Sequence, residues 1–241
     1  MTAVFIHGVP DTKRVWDRLI AEIDREDATA LELPGFGCDT PQGFDASKEA
    51  YLAWLIATLE ALPGPHDLVA HDWGSILAMR VLLVRPDLVR SWVAGGAPFT
   101  PDYTWHTTAR IWQTEGAGEK AMERFTAPLA IDMLRRAGLS EADAAETARG
   151  IDDRMKAFIL RLYRSGRDVF ETWGAALAVS QSPGLVLWGE RDIYVAPIYG
   201  ERLAEVTGAR AVTMDSGHWW QVEQPKAAAA EILAFWRTHA R

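Results

Sequence analysis

The stretch 70-AHDWGS-75 decides the fold, because it joins a buried apolar run to a helix-forming run through a turn with Asp72 at its tip. Ala70 and Gly74 stand two residues before and two after Asp72, where a tight strand-to-helix turn admits only small side chains. The middle side chain of such a turn projects at the carboxyl end of the sheet, where ligands bind in open α/β folds. Asp72 is therefore either a reactive carboxylate or an N-cap of the following helix. In both cases we expect the helix N-terminus to favour its ionised form.

Strands and helices alternate on both sides of this turn. Short apolar runs that end in Gly or Pro predict buried parallel strands at 3–6, 29–33, 67–70, 89–96, 184–189 and 210–214. Between 99 and 182 the apolar spacing is helical and predicts no strand, and we call this stretch the helical insert. The pattern predicts an α/β fold with a mostly or wholly parallel sheet of about six strands. Its core would comprise residues 1–98 and 183–241, with the helical insert between two strands.

Composition limits the classes of partner. The chain has 241 residues, of which 49% are hydrophobic, enough for a large buried core. Its net charge of −8 would repel phosphate backbones and anionic lipids, so we expect neither nucleic acid nor a membrane as partner. The single cysteine, Cys38, excludes an internal disulfide and fits a cytoplasmic location, and no secretion signal is expected. No metal-ligand cluster or Gly-rich dinucleotide loop is visible, so we expect no metal and no cofactor. The oligomeric state stays open.

Two further residues stand in the order that a nucleophile of this fold needs. Asp192 follows the predicted strand 184–189, and His218 follows the last predicted strand. A nucleophile requires a base, and the base requires an acidic group that orients it. Each residue also has a plainer interpretation, a turn carboxylate for Asp192 and a loop histidine packed against tryptophans for His218. All three in order, each after a strand, favour the catalytic interpretation.

Backbone groups complete the predicted site. "HGVP" (7–10) follows the first predicted strand, and the N–H groups of Val9 and Trp73 could form an oxyanion hole beside Asp72. Ser75 is a weaker candidate nucleophile, because Leu77 supplies no small residue two places after it.

The motifs "HGVP", "AHDWGS", "LWGERD" (187–192) and "SGHWWQVEQP" (216–225) resemble those of α/β-hydrolase fold enzymes with an aspartate nucleophile. These enzymes are the epoxide hydrolases and haloalkane dehalogenases. The resemblance implies the α/β-hydrolase fold, with the helical insert as a cap over the active site. It also implies that Asp72 is the nucleophile, that His218 activates water and that Asp192 orients the histidine.

A carboxylate at position 72 has a chemical explanation. A serine that attacked an sp³ carbon would form an ether, which histidine-activated water cannot cleave. Asp72 would form an alkyl ester instead, and water directed by His218 could hydrolyse that ester at the Asp72 carbonyl. The carboxylate therefore indicates substitution at an alkyl carbon rather than a plain esterase.

The leaving group separates the two enzyme classes, because an epoxide oxygen needs a proton donor. "LRLYRSG" (160–166) resembles a cap segment of epoxide hydrolases and places a donor at Tyr163, although a helix-packing role for this tyrosine stays open. The second cap tyrosine of that family is replaced here by Thr108, with His106 and Tyr103 nearby.

Two alternatives to an epoxide hydrolase remain. Haloalkane dehalogenases usually carry Asn where Val9 stands, so a dehalogenase is the second interpretation. A non-catalytic protein that binds a small ligand is the third. The aromatic residues near the site predict a small apolar substrate. Candidate substrate-binding residues are Trp73, Trp219, His106 and Tyr103.

Overall fold

Six strands form one wholly parallel sheet within residues 2–173 and 182–239, the part of the chain that the computed structural model describes. Their spatial order is β2-β1-β3-β4-β5-β6, which confirms the predicted sheet. The strands are β1 (Ala3–Ile6), β2 (Ala28–Leu31), β3 (His66–His71), β4 (Val89–Gly95), β5 (Gly184–Gly189) and β6 (Arg210–Met214).

The second strand ends two residues before the predicted position. Leu33 was expected inside it, but its N–H donates to Nε2 of His7 at 3.1 Å and not to a neighbouring strand. The chain leaves the sheet after Leu31, although the apolar residue Leu33 follows beyond the last hydrogen bond between the strands. Leu33 is fully buried, which explains why its sequence reads as part of a strand.

Six helices flank the sheet within the described residues. They are α1 (Asp17–Ile23), α2 (Lys48–Ala61), α3 (Trp73–Val84), α10 (Ile198–Thr207), α11 (Trp220–Glu223) and α12 (Pro225–His239). Ser47 caps α2 as predicted, because its side chain accepts a hydrogen bond from the N–H of Ala50 at 3.1 Å. The short helix α11 was not predicted, since one turn carries too little periodicity to be recognised. None of the described helices is long and apolar enough to cross a bilayer.

Each face of the sheet carries its own apolar core, as parallel sheets require. Along β1 the side chains alternate, with Ala3 and Phe5 in one cluster and Val4 and Ile6 in the other. Helices α1 and α12 cover the first face, where Phe5 packs on Trp16 with ring centroids 5.5 Å apart. Helices α2, α3 and α10 cover the second. Full burial of one such aromatic contributes about 1.5–3 kcal/mol.

The helical insert lies between β4 and β5. Its described helices are α4 (Thr107–Gln113), α5 (Ala117–Arg124), α6 (Ala127–Arg136), α7 (Glu141–Arg149), α8 (Asp153–Ser165) and α9 (Val169–Trp173). Residues 174–181 of the predicted insert lie outside the described residues. The C-terminus of α8 is bound to the N-terminus of α2, because the Lys48 N–H donates to Oγ of Ser165 at 2.8 Å and Lys48 Nζ donates to its carbonyl at 2.9 Å.

The turn between β3 and α3 holds Asp72 in a strained conformation, with φ 51° and ψ −126°. A non-glycine residue in such a region costs on the order of 1–3 kcal/mol. Gly74 permits the turn to pack against β1, because a Cβ at this position would lie 2.2 Å from the carbonyl oxygen of Ile6. Tight packing therefore fixes where the Asp72 side chain begins.

We expect Gly74→Ala to lower the free energy of unfolding by about 1–3 kcal/mol, the usual cost of overpacking, because backbone must move to admit the new methyl group. Urea unfolding followed by tryptophan fluorescence measures this change. Gly150→Ala is the matched control, since its Cβ would meet its nearest atoms at an ordinary 3.4 Å. Equal loss in both variants would show that the turn is not tightly packed.

Candidate active site

Four loops bring the predicted site residues together at the carboxyl edge of the sheet. Val9 follows β1, Asp72 follows β3 directly, Asp192 follows β5 and His218 follows β6. Because all strands are parallel, these loops meet at one edge. Val9 and His218 are 209 positions apart in the sequence, and the order of the strands in the sheet brings them to the same edge.

His218 lies between two carboxylates. Its Nδ1 donates to Oδ2 of Asp192 at 2.8 Å, and its Nε2 is 3.9 Å from Oδ2 of Asp72. The other oxygen of Asp192 accepts the N–H groups of Tyr194 and Val195 at 2.8 and 3.0 Å, which fixes this carboxylate. Asp192 therefore accepts backbone hydrogen bonds in its own turn and contacts the histidine, and its catalytic role stays a prediction.

Asp72 occupies the N-cap position of α3 without capping that helix. Its Oδ1 instead accepts the N–H of Val9 at 2.8 Å, and the N–H of Trp73 also stabilises the carboxylate. Gly8 leaves room for this contact, since a Cβ there would lie 2.3 Å from Oδ1. The two N–H groups predicted to form an oxyanion hole thus already contact the Asp72 carboxylate, and its Oδ2 lies on the side of His218.

The charges at this edge are strongly coupled. Burial raises the pKa of Asp72, although His218 and the N–H groups of Val9 and Trp73 oppose the shift. The helix-terminus effect expected from the sequence is therefore outweighed by burial. For His218, burial alone would lower the pKa, but the charges of Asp192, Asp72 and Asp11 together with the Asp192 hydrogen bond raise it to about 9. The imidazolium form is consequently favoured while Asp72 carries its charge.

A largely aromatic cavity opens above Asp72. Its wall is formed by the carboxyl-end loops below and by the helical insert above. The lining residues are Val9, Pro10, Asp72, Ile76, Gly96, Ala97, Pro98, Tyr103, Trp105, His106, Thr108, Trp112, Met133, Tyr163, Tyr194, Val195, His218 and Trp219. Such a surface suits a small apolar molecule with few polar groups.

Tyr163 packs within α8 and lines this cavity as well. Its ring contacts the indoles of Trp73, Trp105 and Trp112 at centroid distances of 5.4, 5.4 and 5.0 Å. Burial and the charge of Asp72 raise the pKa of Tyr163 well above its ordinary value, so the hydroxyl keeps its proton. Tyr163 therefore packs within the helical insert and also lines the cavity that contains Asp72.

The Trp73 side chain is not among the residues that line the cavity, and its predicted part in substrate binding stays a prediction. Its indole is fully buried behind Tyr163 and stacks on Trp105 at 5.9 Å. Its Nε1 has no hydrogen-bond partner in the described part of the chain. Only the backbone N–H of Trp73 is directed at Asp72, because the aromatic residues of the insert cover the ring.

The other three predicted substrate-binding residues, Tyr103, His106 and Trp219, line the cavity, and each already uses a polar group in a hydrogen bond within the protein. The Tyr103 hydroxyl donates to the carbonyl of Tyr194 at 3.1 Å. The Trp219 Nε1–H donates to both oxygens of Asp11 at 3.1 and 3.0 Å. His106 uses Nδ1 to accept the N–H of Ala109 at 3.3 Å, which caps α4.

Sequence reasoning missed two residues at the site. Tyr194 lines the cavity, and its ring lies 5.1 Å from that of His218 and 5.0 Å from that of His106. Asp11 lies behind Trp219, and burial raises its pKa to about 7 despite the Trp219 hydrogen bond. Both could have been predicted from their positions in the sequence, since Tyr194 is two residues after Asp192 and Asp11 directly follows "HGVP".

No group of three or more His, Cys, Asp or Glu side chains converges as a metal site within residues 2–173 and 182–239.

Comparisons with known proteins agree with this architecture. A family model described as the alpha/beta hydrolase family matches residues 3–232. The chain is 26% identical to a haloalkane dehalogenase of Bradyrhizobium diazoefficiens, over 97% of this chain and 86% of that protein. It is 23% identical to epoxide hydrolase 4 of Mus musculus, over 99% of this chain and 73% of that protein.

Two further matches differ in extent. A local match at 33% identity covers 36% of this chain and 34% of an Acinetobacter baylyi protein named (E)-2-((N-methylformamido)methylene)succinate hydrolase. The crystal structure of a putative ancestral haloalkane dehalogenase superposes over 99% of this chain and 92% of its own, with a TM-score of 0.82 and 25% identity. The α/β-hydrolase fold expected from the sequence is thus confirmed.

We expect Asp192→Asn to lower the pKa of His218 more than Asp72→Asn does, because Nδ1 lies closer to Asp192 than Nε2 lies to Asp72. ¹⁵N NMR titration of the imidazole measures both shifts against the starting value of about 9. A wild-type pKa at or below 6.5 would contradict the geometry.

This titration also affects stability. Because folding raises the His218 pKa from 6.5 to about 9, its protonation stabilises the fold below pH 6.5, and this contribution is lost as pH rises to about 9. Urea unfolding at pH 6 and pH 9 should show a smaller pH-dependent loss in Asp192→Asn than in the wild type.

Proposed function

The chain belongs to the alpha/beta hydrolase family, and we propose that it hydrolyses a small apolar epoxide to a diol through a covalent ester on Asp72. The observation that carries the proposal is the arrangement around His218, with Asp192 at 2.8 Å on one nitrogen and Asp72 at 3.9 Å from the other. Tyr163 supplies the proton donor above the carboxylate, and the helical insert acts as the cap that carries it.

In the first half-reaction Oδ2 of Asp72 attacks an epoxide carbon. The C–O bond of the ring breaks, its electron pair stays on the oxygen, and the Tyr163 hydroxyl gives that oxygen a proton. Oδ1 remains hydrogen-bonded to Val9 and becomes the carbonyl oxygen of the ester. The product of this step is a hydroxyalkyl ester of Asp72 together with a tyrosinate.

Esterification prepares His218 for the second half-reaction. The charge of Asp72 helps to raise the pKa of His218, and that charge disappears when the ester forms. The pKa of the imidazole therefore falls, so His218 releases its proton to solvent and becomes the neutral base that water activation needs. The reaction itself thus converts His218 from a counter-ion of the nucleophile into a general base.

In the second half-reaction Nε2 of His218 takes a proton from water as the oxygen attacks Cγ of Asp72. The N–H groups of Val9 and Trp73 stabilise the oxyanion, and Asp192 stabilises the imidazolium. Collapse breaks the bond to the alkyl oxygen, which receives the proton from His218 and leaves as the diol. The carboxylic proton of Asp72 returns to the tyrosinate, and His218 regains from solvent the proton that it released, so each cycle consumes one epoxide and one water.

A haloalkane dehalogenase is the second candidate function. The named relative from Bradyrhizobium diazoefficiens and the ancestral dehalogenase structure support it. Two observations favour an epoxide. Val9 has no side-chain N–H to hold a halide, and the Trp73 indole is fully buried and does not line the cavity.

We expect His218→Gln to trap the alkyl-enzyme, because attack by Asp72 needs no base while hydrolysis does. Intact mass spectrometry after incubation with epoxides and haloalkanes then identifies the leaving group. An epoxide adds its whole mass, whereas a haloalkane adds its mass less hydrogen halide. Peptide mapping should locate the adduct on Asp72. An adduct on Ser75 would contradict the carboxylate mechanism, and no adduct from either panel with folded protein would favour a non-catalytic binding protein.

We expect Tyr163→Phe to slow epoxide opening by about 10²–10⁴-fold, the usual contribution of a general acid. Single-turnover alkylation in the His218→Gln background measures this step. Tyr51→Phe is the matched control, because it removes a buried hydroxyl that donates to Pro34 at 2.8 Å, outside the cavity. Equal rates in both variants would remove Tyr163 from the reaction.

A further inference from the structure

The loop that carries His218 is bonded to the helical insert as well as to the sheet. The His218 backbone N–H donates to the carbonyl of Ala137 at 2.9 Å. Ala137 is the C-cap of α6, so its carbonyl belongs to the helix end, where no further helical N–H is present to use it. A helix of the insert thus holds the backbone of the residue whose imidazole faces Asp72.

The packing on both sides of this loop is tight. A Cβ on Gly217 would lie 2.2 Å from the carbonyl oxygen of Ala137 and 2.9 Å from Cα of Gly138, so only glycine fits against the end of α6. On the opposite side, a Cβ on Gly189 at the end of β5 would lie 1.7 Å from the Gly217 carbonyl oxygen. The loop is therefore held between a strand of the sheet and a helix of the insert.

Hydrogen bonds from the core fix the neighbouring atoms of the loop. Both carboxylate oxygens of Glu223 accept the Gly217 N–H, at 3.0 and 2.9 Å. Nε2 of His71 donates to the His218 carbonyl at 2.9 Å. A Cβ on Gly138 would lie 2.5 Å from Oε1 of Glu223, so the end of α6 also packs on this carboxylate. The His218 N–H is thus the point at which the insert, rather than the core, sets the loop.

Helix α6 is held in place by contacts other than those with the histidine loop. Leu134 of α6 is fully buried in an apolar cluster. The next helix, α7, is joined to the core by two ion pairs. Asp143 pairs with Arg18 of α1, and Glu146 pairs with Arg14 at 2.7 Å. Exposed ion pairs are individually weak, so they add to the packing of Leu134 rather than replace it. The position of α6 is therefore set by the insert and the core together.

The same helix reaches the wall of the cavity. Met133 lies one turn before Ala137 and lines the cavity above Asp72. Helix α6 does not carry Tyr163, which belongs to α8. A displacement of the end of α6 would therefore act on the histidine loop and leave the proposed proton donor where it is.

We propose that the C-terminus of α6 positions His218 for water activation, through the hydrogen bond from the His218 N–H to the Ala137 carbonyl. This inference rests on the proposed function, but only on hydrolysis of an ester on Asp72, the half-reaction that both candidate functions share. In that step Nε2 takes a proton from water while the water oxygen attacks Cγ of Asp72, so the base and the ester carbonyl must stay aligned. Ala137 is a positioning residue, since it does not line the cavity.

Gly217→Ala separates the loop from the insert at their contact. The new methyl group would meet the end of α6, and Gly217 has no positive φ, so alanine strains no backbone angle there. Gly184→Ala is the matched control. Its Cβ would lie 2.1 Å from the Trp92 ring, and Gly184 begins β5 at the sheet edge opposite to the site.

Single-turnover mass spectrometry with an epoxide follows both the formation and the loss of the ester on Asp72. We expect Gly217→Ala to slow hydrolysis by about 10²-fold, as a displacement of about 1 Å does, and to leave alkylation within about 3-fold of the wild type. Gly184→Ala should change neither rate. Unchanged hydrolysis in Gly217→Ala, equal slowing of both half-reactions, or the same result in Gly184→Ala would overturn the proposal.

Gly138→Ala approaches the contact from the side of the insert, and it tests the proposal if Gly217→Ala does not fold. Its methyl group would meet Glu223, and its φ is 121°. Gly116→Ala is the control within the insert, because Gly116 has a φ of 74° and a Cβ there would meet no atom within 4 Å. Gly138→Ala should slow hydrolysis selectively and Gly116→Ala should not. Equal hydrolysis rates in the two variants would contradict the role of α6.

The position of His218 can also be followed without turnover. Hydrogen exchange of the wild-type protein should show a protected His218 amide, and Gly217→Ala should speed its exchange. ¹⁵N NMR should show the imidazole pKa moving from about 9 toward 6.5 in Gly217→Ala, as the ring leaves Asp192. A wild-type His218 amide that exchanges as fast as the amides of exposed loops would overturn the inference whatever the substrate.

Failure of the proposed function gives a different result. If neither epoxides nor haloalkanes form an ester on Asp72 of the His218→Gln protein, the proposed function fails, while amide exchange and the imidazole pKa still decide whether α6 positions the ring. If the ester forms and Gly217→Ala hydrolyses it as fast as the wild type, only the role of α6 fails.

Discussion

The strained backbone at Asp72 is the constraint on which the rest of the site depends. Several hydrogen bonds fasten this turn to the end of β4 and to the start of α3. The Asp72 N–H donates to the carbonyl of Gly95 at 3.0 Å, Oγ of Ser75 donates to the same carbonyl at 2.9 Å, and the Ser75 N–H donates to the Asp72 carbonyl at 2.8 Å. Because packing and hydrogen bonds offset the strain, the carboxylate has one position from which Val9 and His218 are both in reach. Ser75 has a structural role in this arrangement.

Charge organises the layer around that carboxylate. Asp11, Asp72, Asp192 and His218 lie close together in a buried region where electrostatic effects are large. One positive charge on His218 faces three acidic side chains. The raised pKa of Asp11 favours its protonated form, which reduces the repulsion between the three carboxyl groups. Trp219 links two of these groups, since its Nε1–H binds Asp11 and its ring meets that of His218 at 4.9 Å.

The sequence predicted the sheet and the groups that follow its strands far better than it predicted the cavity wall. Strands β1 and β6 begin and end at the predicted residues, because Gly, Pro or charged residues bound short apolar runs there. The loops carrying Asp72, Asp192 and His218 follow from strand order in the same way. The burial of the Trp73 indole and the use of the Tyr103 hydroxyl by Tyr194 could not be predicted, since both depend on how the helical insert packs. The helix α11 could not be predicted either, because a single turn is too short to show helical periodicity.

The division of polar groups between sheet and insert has a consequence for how such a protein can change over generations. Asp72, Asp192 and His218 all follow strands of the sheet, whereas Tyr163 and His106 belong to the helical insert. Under the proposed function, substitutions in the insert would alter which bond is broken, while the residues proposed to regenerate the carboxylate would stay unchanged. Selection on a new substrate would act mainly on one contiguous stretch of the gene, and the costly turn at Asp72 would not have to be reinvented.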